Sequence, residues 1–297
     1  MRATEMRLAA LTILLALCPV TAGSQGPVPP QTGSEFEKQE KIYRSQGASV
    51  PPGYITSRSL NSYVEILPAG FSDALRRLGP THRWLDIGAG AGRAILDYYS
   101  PEYDSEQEGK KSARPRGKAR AVAISIEDRR TDEWRQRTAS LSANRIRYFY
   151  GKRLREYSRE ELGKFQLITD AYGGFSYTEN LSQFLEKVLD LLDVNGDFYS
   201  LLQSVHLEDG KDRPTTWYLT ELVDADGRDV KVCSWLKSVA CVKVTCESKS
   251  DWDTPTELIH VRKVCNGVRV PPLKQVFYEA GNPPGRKFQL VEDKQKR

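Results

Sequence analysis

Apolar residues along the chain alternate between short continuous runs and stripes with helical spacing. Runs typical of buried strands lie at 84–87, 121–124, 146–150, 165–169 and 198–202. Helical stripes separate them. The clearest stripe extends over 181–192, where apolar residues recur at three- and four-residue steps, and Asn195-Gly196 is expected to end the helix. An earlier stripe over 60–78, interrupted at Pro68, predicts a helical segment before the first strand.

Strands that alternate with helices in this way predict right-handed crossovers and a largely parallel sheet covered on both faces, which is an α/β fold. From about residue 216 the chain contains a helix and three further strand-like runs, which lie at 242–244, 258–264 and 275–278. We expect these runs to complete the same sheet. A polar insertion at 102–120 has a basic second half and is typical of a solvated loop. A contact with phosphate or an anionic polymer is the alternative for it.

The N-terminus has the three-part form of a secretory signal peptide. Arg2 and Arg7 precede the apolar run 8–17, and Val20 and Ala22 occupy the positions required for cleavage after Ala22. The apolar run is too short to span a bilayer as a stable helix. The sequence therefore predicts a signal peptide over 1–22, a flexible leader over 23–53, and export to the periplasm or the cell exterior. An uncleaved membrane tether is the alternative.

Cysteine placement agrees with an oxidising compartment. One of the five cysteines, Cys18, lies in the predicted signal peptide. The other four are Cys233, Cys241, Cys246 and Cys265. An even, clustered set behind a signal peptide predicts two disulfides, with three possible pairings. A zinc site is disfavoured because no Cys-x-x-Cys step is present.

Composition restricts the classes of partner. The formal net charge of +5 arises from 44 basic and 39 acidic residues, and so small an excess is typical of a solvated surface rather than of a nucleic-acid-binding protein. No apolar run after residue 22 is long enough to span a membrane. The histidines His82, His206 and His260 are scattered through the sequence, so no metal site is predicted.

The strongest chemical signal is the stretch 85–93, Leu-Asp-Ile-Gly-Ala-Gly-Ala-Gly-Arg, at the end of the first predicted strand. Glycines let the backbone approach a ligand closely, and the N-terminus of the following helix presents unpaired amides. The dinucleotide fingerprint Gly-x-Gly-x-x-Gly needs a glycine where Arg93 stands, so a nucleotide-linked oxidoreductase is a disfavoured alternative. Instead Gly88, Gly90 and Gly92 fall at every second position, after Asp86.

This Asp-x-Gly-x-Gly-x-Gly form resembles motif I of the class I S-adenosylmethionine-dependent methyltransferases. The resemblance extends over most of residues 55–205, with 170–175 corresponding to the segment beside the reactive methyl group and 191–198 to the helix end before strand five. It implies a Rossmann-like methyltransferase fold with a mostly parallel seven-stranded sheet. The corresponding domain would cover 54–297, with a cysteine-containing C-terminal part from about 205. The implied cofactor is S-adenosylmethionine.

The resemblance also implies which residues bind the cofactor. The turn would lie under its methionine and ribose through Gly88, Ala89, Gly90 and Gly92, while Asp86 helps to hold the amino-acid end. The remaining implied cofactor-binding residues are Ser125, Ile126, Glu127 and Asp170.

Two positions depart from the family pattern. Ser125 stands where the family usually has an acid that accepts both ribose hydroxyls, with Glu127 two residues further on. A hydroxyl residue is similarly found there in cyclopropane-synthase-like members. After the third predicted strand, Gly151-Lys152 replaces a Gly-Asp pair whose acid contacts the adenine amine.

Methyl transfer requires mainly alignment, because the sulfonium is already a strong electrophile and a base is needed only where the nucleophile must lose a proton. Asp170 and Tyr172 are the predicted catalytic residues, and Tyr177 is a further candidate near the methyl group. Each has a structural alternative, since an aspartate caps turns and tyrosines pack in cores.

The sequence thus predicts a methyltransferase whose methyl acceptor and oligomeric state it leaves open. Export conflicts with a cofactor that is made and kept in the cytoplasm. A catalytically degenerate, exported Rossmann-like binding or interaction protein is therefore the second hypothesis.

Overall fold

The computed structural model describes residues 32–44, 57–100, 117–142, 144–203, 220–249, 256–281 and 284–291, and side chains in the first range only for 35–41. The predicted signal peptide, its cleavage site after Ala22 and most of the basic insertion lie outside the described residues. All of the described residues belong to one unit, 31–297.

The central sheet has seven strands. They are β1 (Arg83–Ile87), β2 (Arg120–Ile124), β3 (Ile146–Phe149), β4 (Phe165–Asp170), β5 (Leu192–Gln203), β7 (Val242–Lys249) and β8 (Thr256–Lys263). Their spatial order is β3-β2-β1-β4-β5-β8-β7. The first five pair in parallel, whereas β8 runs antiparallel to both β5 and β7. The predicted Rossmann-like fold with a mostly parallel seven-stranded sheet is confirmed.

Both faces of this sheet are buried, because successive side chains of a strand point to opposite faces. Leu85 and Ile87 join one apolar cluster and Trp84 joins the other. The first cluster is covered by α8 (Leu181–Leu191). The second is covered by α2 (Leu60–Ile66), α3 (Gly70–Arg76), α4 (Arg93–Tyr99) and α5 (Asp132–Ala139).

Short polar side chains begin several of these helices. Ser59, Thr131 and Asn180 each accept a hydrogen bond from a backbone N–H in the first turn of α2, α5 and α8, respectively, which satisfies a donor that has no partner within the helix. The shorter helices are α6 (Arg159–Leu162), α7 (Gly174–Tyr177) and α9 (Val232–Lys237), and residues Leu154–Glu156 form a 3-10 turn.

Helix α8 ends earlier than the sequence predicts. Leu192, which the apolar stripe includes, has extended backbone angles (φ −81°, ψ 132°) and begins β5. The buried ammonium of Lys263 donates to the carbonyl oxygens of Leu189 (2.7 Å) and Leu192 (2.9 Å). These contacts satisfy carbonyls at the helix end, so the helix does not need to continue to Asn195-Gly196.

A second sheet has three strands: β6 (Thr220–Val223), β9 (Leu273–Glu279) and β10 (Gly285–Leu290), in the order β6-β10-β9. Runs 242–244 and 258–264 join the central sheet as predicted, but the expectation that 275–278 does so is wrong. In the central sheet β8 lies between β5 and β7, and β9 pairs with β10 in the second sheet. A local apolar pattern identifies a strand without specifying its partner.

Two disulfides connect the C-terminal part, which confirms the predicted number. Cys233 in α9 is bonded to Cys246 in β7, and Cys241, just before β7, is bonded to Cys265, just after β8. The structure therefore selects one of the three pairings that the sequence allows.

The structure corrects the prediction of an entirely flexible leader over 23–53, because residues Thr32–Arg44 form helix α1. Gln39 is 1% exposed, and its side-chain oxygen accepts a hydrogen bond from the backbone N–H of Gly281 at 2.8 Å. The ring of Phe36 packs edge-on against Tyr278, with the centroids 5.7 Å apart. One aromatic ring and one buried amide dock the helix, so it carries no apolar stripe that sequence periodicity could detect. Within the described ranges, no helix has both the length and the apolar character needed to cross a membrane.

Candidate functional site

A cavity of about 650 Å³ lies at the carboxyl ends of the parallel strands. Its wall includes residues that follow β1, β2, β3 and β4, and further residues from α1, from the segment before α2 and from the first turn of α8. In open parallel sheets of this type, ligands bind outside the carboxyl ends of the strands. A volume of this size is also typical of small-molecule sites.

The glycine turn after β1 forms one wall. Gly88, Gly90 and Gly92 have φ values of 72°, 53° and 73°, in the left-handed region that glycine adopts readily. The amides of Gly88 and Ala89 donate to the carbonyl of Ile124 at 2.9 and 3.0 Å, which fixes the turn over the end of β2. A Cβ atom on Gly88 would lie 2.5 Å from the Cα of Gly173, so this glycine allows the turns after β1 and β4 to touch.

The third glycine of the turn supports the site from behind. Gly92 is the N-cap residue of α4, and a Cβ atom there would lie 2.2 Å from the ring of Trp134 in α5. Ala89 is buried, and neither Ala89 nor Gly92 lines the cavity. Gly92 therefore allows α5 to pack against the turn, whereas Gly88 and Gly90 face the cavity.

Asp86 is fully buried beneath the turn and does not line the cavity. Its carboxylate accepts hydrogen bonds from the hydroxyls of Tyr63 (3.0 and 3.1 Å to the two oxygens) and Thr169 (2.8 Å). Burial raises the pKa of Asp86 to about 7, although both hydroxyls oppose the shift. Asp86 thus connects α2 to β1 and β4 instead of presenting its carboxylate to the cavity.

Asp170, at the end of β4, is also fully buried and outside the cavity wall. Its two carboxylate oxygens accept the backbone N–H groups of Gly173 (2.8 Å) and Phe175 (2.9 Å). Burial raises the pKa of Asp170 to about 7, against the effect of these amides and of the Arg286 charge. Asp170 therefore holds the turn that leads into α7, and its catalytic and cofactor-binding roles stay predictions.

Tyr172 lines the cavity next to this turn. Its φ of 57° is unusual for a residue with a side chain, and such strain is common at functional sites. The guanidinium of Arg58, which precedes α2, lies 4.7 Å over the centre of the Tyr172 ring. Burial raises the pKa of Tyr172, and the Arg58 charge opposes this shift. Tyr177 also lines the cavity.

Residues after β2 and β3 form the opposite wall. Ser125 and Ile126 line the cavity, whereas Glu127 lies outside it and pairs with Arg129 at 3.2 Å. The hydroxyl of Tyr148 in β3 donates to the carbonyl of Gly90 at 2.5 Å. Tyr148 therefore ties the glycine turn to β3, a contact that the apolar pattern of β3 did not predict.

Half of the ten positions in the predicted site face one cavity. Gly88, Gly90, Ser125, Ile126 and Tyr172 line it. The other five do not line it: Asp86, Ala89, Gly92, Glu127 and Asp170. Of these, Asp86, Ala89 and Asp170 are buried behind the wall.

No protein-family model matches the chain, and no curated protein matches it in sequence. Among solved structures, the chain is similar to an rRNA methylase from Streptococcus thermophilus, with 12% identity and a TM-score of 0.40, covering 65% of this chain and 94% of that one. The antibiotic-resistance methyltransferase Kmr gives 15% identity and a TM-score of 0.40, covering 65% and 91%. PKMT2 from Rickettsia typhi in complex with AdoHcy has 17% identity and a TM-score of 0.36, and the match covers 51% of this chain and 27% of that one. At these scores none of them assigns an activity to this chain.

Several cavity residues were missed by sequence reasoning. Helix α1 contributes Phe36, Gln39 and Glu40, and the segment before α2 contributes Arg58. The signal for α1 was absent because its docking side chains are isolated in a polar segment. Arg58 carries no recognisable motif, and only the fold brings it over Tyr172.

The chemistry of this wall suits a polar organic ligand. It combines exposed glycine backbone, the Ser125 hydroxyl, the apolar side chains of Ile126 and Leu154, and the charge of Arg58. Among the described residues, no group of three or more His, Cys, Asp or Glu side chains is placed to hold a metal ion.

Proposed function

We propose that the protein is an S-adenosylmethionine-dependent methyltransferase that acts on an acceptor yet to be identified. The proposal depends on one observation: a cavity of about 650 Å³ at the carboxyl edge of the sheet has backbone from Gly88 and Gly90 in its wall. The absence of a side chain at Gly90 lets an adenosyl ligand approach the chain closely, and Gly88 lets the turn after β4 close up against the glycine turn.

The lining residues fit the parts of this cofactor. We assign the hydroxyl of Ser125 to the ribose, and Ile126 and Leu154 offer apolar surface to a flat purine ring. Arg58 carries the charge that complements the carboxylate of the methionine part. Tyr172, beside Gly173 in the turn after β4, is the lining residue that we assign to the reacting methyl group.

The cofactor supplies an electrophilic methyl group, so this chain has to provide alignment and exclude water. Tyr172 is our candidate catalytic residue because its ring lies in the cavity wall and is covered by Arg58. Asp86 and Asp170 are positioning residues in this proposal. Asp170 orients the turn that carries Tyr172, and Asp86 fixes α2 against the strands.

Calorimetry with S-adenosylmethionine and S-adenosylhomocysteine tests the proposal. We expect both ligands to bind the wild-type protein and Gly90→Arg to abolish binding, because the long side chain would enter the cavity. Gly227→Arg is the matched control. Gly227 also has a positive φ (84°), but a Cβ atom there meets nothing within 4 Å. Binding that survives in Gly90→Arg, or no heat with the wild-type protein at millimolar ligand, would contradict the proposal.

A catalytically inactive, exported binding protein is the second candidate. Two disulfides favour an oxidising compartment, and both carboxylate oxygens of Asp170 already accept backbone amides. Mass spectrometry of the mature N-terminus distinguishes cleavage after Ala22 from an intact Met1. Transfer of a labelled methyl group from the cofactor to any component of an acceptor mixture would favour the enzyme. Cofactor binding without transfer would favour the binding protein.

A further inference from the structure

We propose that Glu40 of helix α1 accepts the hydrogen bond of the adenine amine, so that a helix outside the sheet selects the nucleobase. This inference rests on the proposed function. It concerns the end of the cavity formed by the residues after β2 and β3, where the wall includes Ile126, Lys152 and Arg153.

At this end of the cavity the wall has two cationic side chains, whereas an adenine amine needs a hydrogen-bond acceptor. Lys152 directly follows Gly151, whose amide donates to the carbonyl of Ile126 at 3.1 Å, so the turns after β2 and β3 lie together. Lys152 and Arg153 have side chains that donate hydrogen bonds and cannot accept them. If an adenine amine faced only the side chains of these two residues, its N–H groups would find no hydrogen-bond acceptor.

Glu40 supplies the missing acceptor at the same place. The guanidinium of Arg153 donates from Nε to one Glu40 oxygen at 2.9 Å, and its terminal nitrogen lies 2.6 Å from the other oxygen. This forked pairing fixes the orientation of the carboxylate. An ionised carboxylate accepts about four hydrogen bonds in total, so a ligand contact is compatible with the ion pair. The Glu40 side chain is 22% exposed and lines the cavity.

Glu65 is the other carboxylate in the described wall. It belongs to α2, downstream of Arg58, which packs on Tyr172 at the β4 side of the cavity. Glu40 is thus the described lining carboxylate that the ion pair to Arg153 holds beside the turn after β3.

The position of Glu40 is fixed by contacts on both sides of α1. Gln39 is bonded to the amide of Gly281, and the guanidinium of Arg153 also lies 4.4 Å over the ring of Phe36. A carboxylate held in this way does not need to be ordered when a ligand binds, which favours selectivity.

The test compares S-adenosylhomocysteine with S-inosylhomocysteine, in which a carbonyl oxygen replaces the amine. Calorimetry on the full chain should show that the wild-type protein prefers the adenosyl ligand. Glu40→Gln should weaken adenosyl binding about tenfold and strengthen inosyl binding, because the new amide can donate to the carbonyl. Glu37→Gln, on the exposed side of the same helix, should leave both affinities unchanged.

The outcomes separate this inference from the proposed function. Equal losses for both ligands in Glu40→Gln would mean that Glu40 only docks α1, and the inference would be overturned, as it would be by unchanged adenosyl affinity. Arg153→Gln provides a second check: it removes the group that orients Glu40 but keeps the carboxylate, so adenosyl preference should weaken without reversing as it does in Glu40→Gln. If the wild-type protein bound neither ligand, the proposed function itself would fail and the inference with it.

Discussion

Asp86 is the penultimate residue of β1 and Asp170 the last residue of the adjacent β4, and burial raises the pKa of each carboxyl to about 7. They differ in what donates to them. Asp86 accepts from the Tyr63 and Thr169 hydroxyls, which belong to other elements. Asp170 accepts from two backbone amides of the turn that directly follows it. One aspartate joins distant parts of the fold and the other shapes a local turn. An acid beside a glycine motif can therefore serve the scaffold instead of the ligand.

Asp170→Ala should have the largest effect, because it leaves the amides of Gly173 and Phe175 buried without their acceptor. We expect a loss of about 3 kcal/mol in the free energy of unfolding, measured by urea titration. Ligand affinity should fall as well, since Tyr172 and Gly173 belong to the same turn and line the cavity. Asp73→Ala, at a side chain that is 59% exposed, is the control and should change stability by less than about 0.5 kcal/mol. If Asp170→Ala left the free energy of unfolding nearly unchanged, the turn would be stable without this carboxyl group.

The pH dependence of stability should distinguish the contributions of the two aspartates. Both folded-state pKa values, about 7, lie above the usual 3.8, so the native state binds more protons than the unfolded state between those pH values. Stability contributed by the neutral carboxyls is present below this window and is lost as pH rises through it. Ionisation of each carboxyl should lower the free energy of unfolding by about 2 kcal/mol between pH 5 and 7. Asp86→Asn should reduce the slope of unfolding free energy against pH. An unchanged slope would mean that Asp86 does not titrate in this range.

Tyr63→Phe should have the smallest effect, because Asp86 keeps its contact with Thr169. A loss of about 1 kcal/mol in unfolding free energy is expected for one buried hydroxyl. The variant also tests whether Asp86 holds the amino-acid end of a cofactor. If Asp86 only supports the scaffold, S-adenosylhomocysteine and 5′-methylthioadenosine, which lacks that end, should be affected equally. A change confined to S-adenosylhomocysteine would restore the role that the family resemblance implied.

The sequence predicted the central sheet well, because short apolar runs between turn residues are local signals that burial on both faces requires. It also predicted that Gly88, Gly90, Ser125, Ile126 and Tyr172 belong to one site, since the carboxyl ends of parallel strands share an edge. These five residues line the same cavity.

Contacts between elements distant in the sequence were not predictable in the same way. The docking of α1 beside β9 and the parallel pairing of β6 with β10 depend on contacts that leave no periodic pattern in the sequence. The face of the sheet to which the Asp86 side chain points could have been predicted from the sequence. The two-residue period of β1 puts it on the same face as Trp84, towards α2, whereas Ile87 on the other face lines the cavity.

Arg286 in β10 connects the second sheet to the site. Its buried guanidinium donates to the carbonyls of Phe175 (3.0 Å) and Thr178 (2.8 Å), at the helix that follows the Asp170 turn. During synthesis, the glycine turn and Asp170 leave the ribosome more than a hundred residues before Arg286 does. The nascent chain can thus assemble its parallel strands early, but this wall of the cavity reaches its final form only after β10 has been translated.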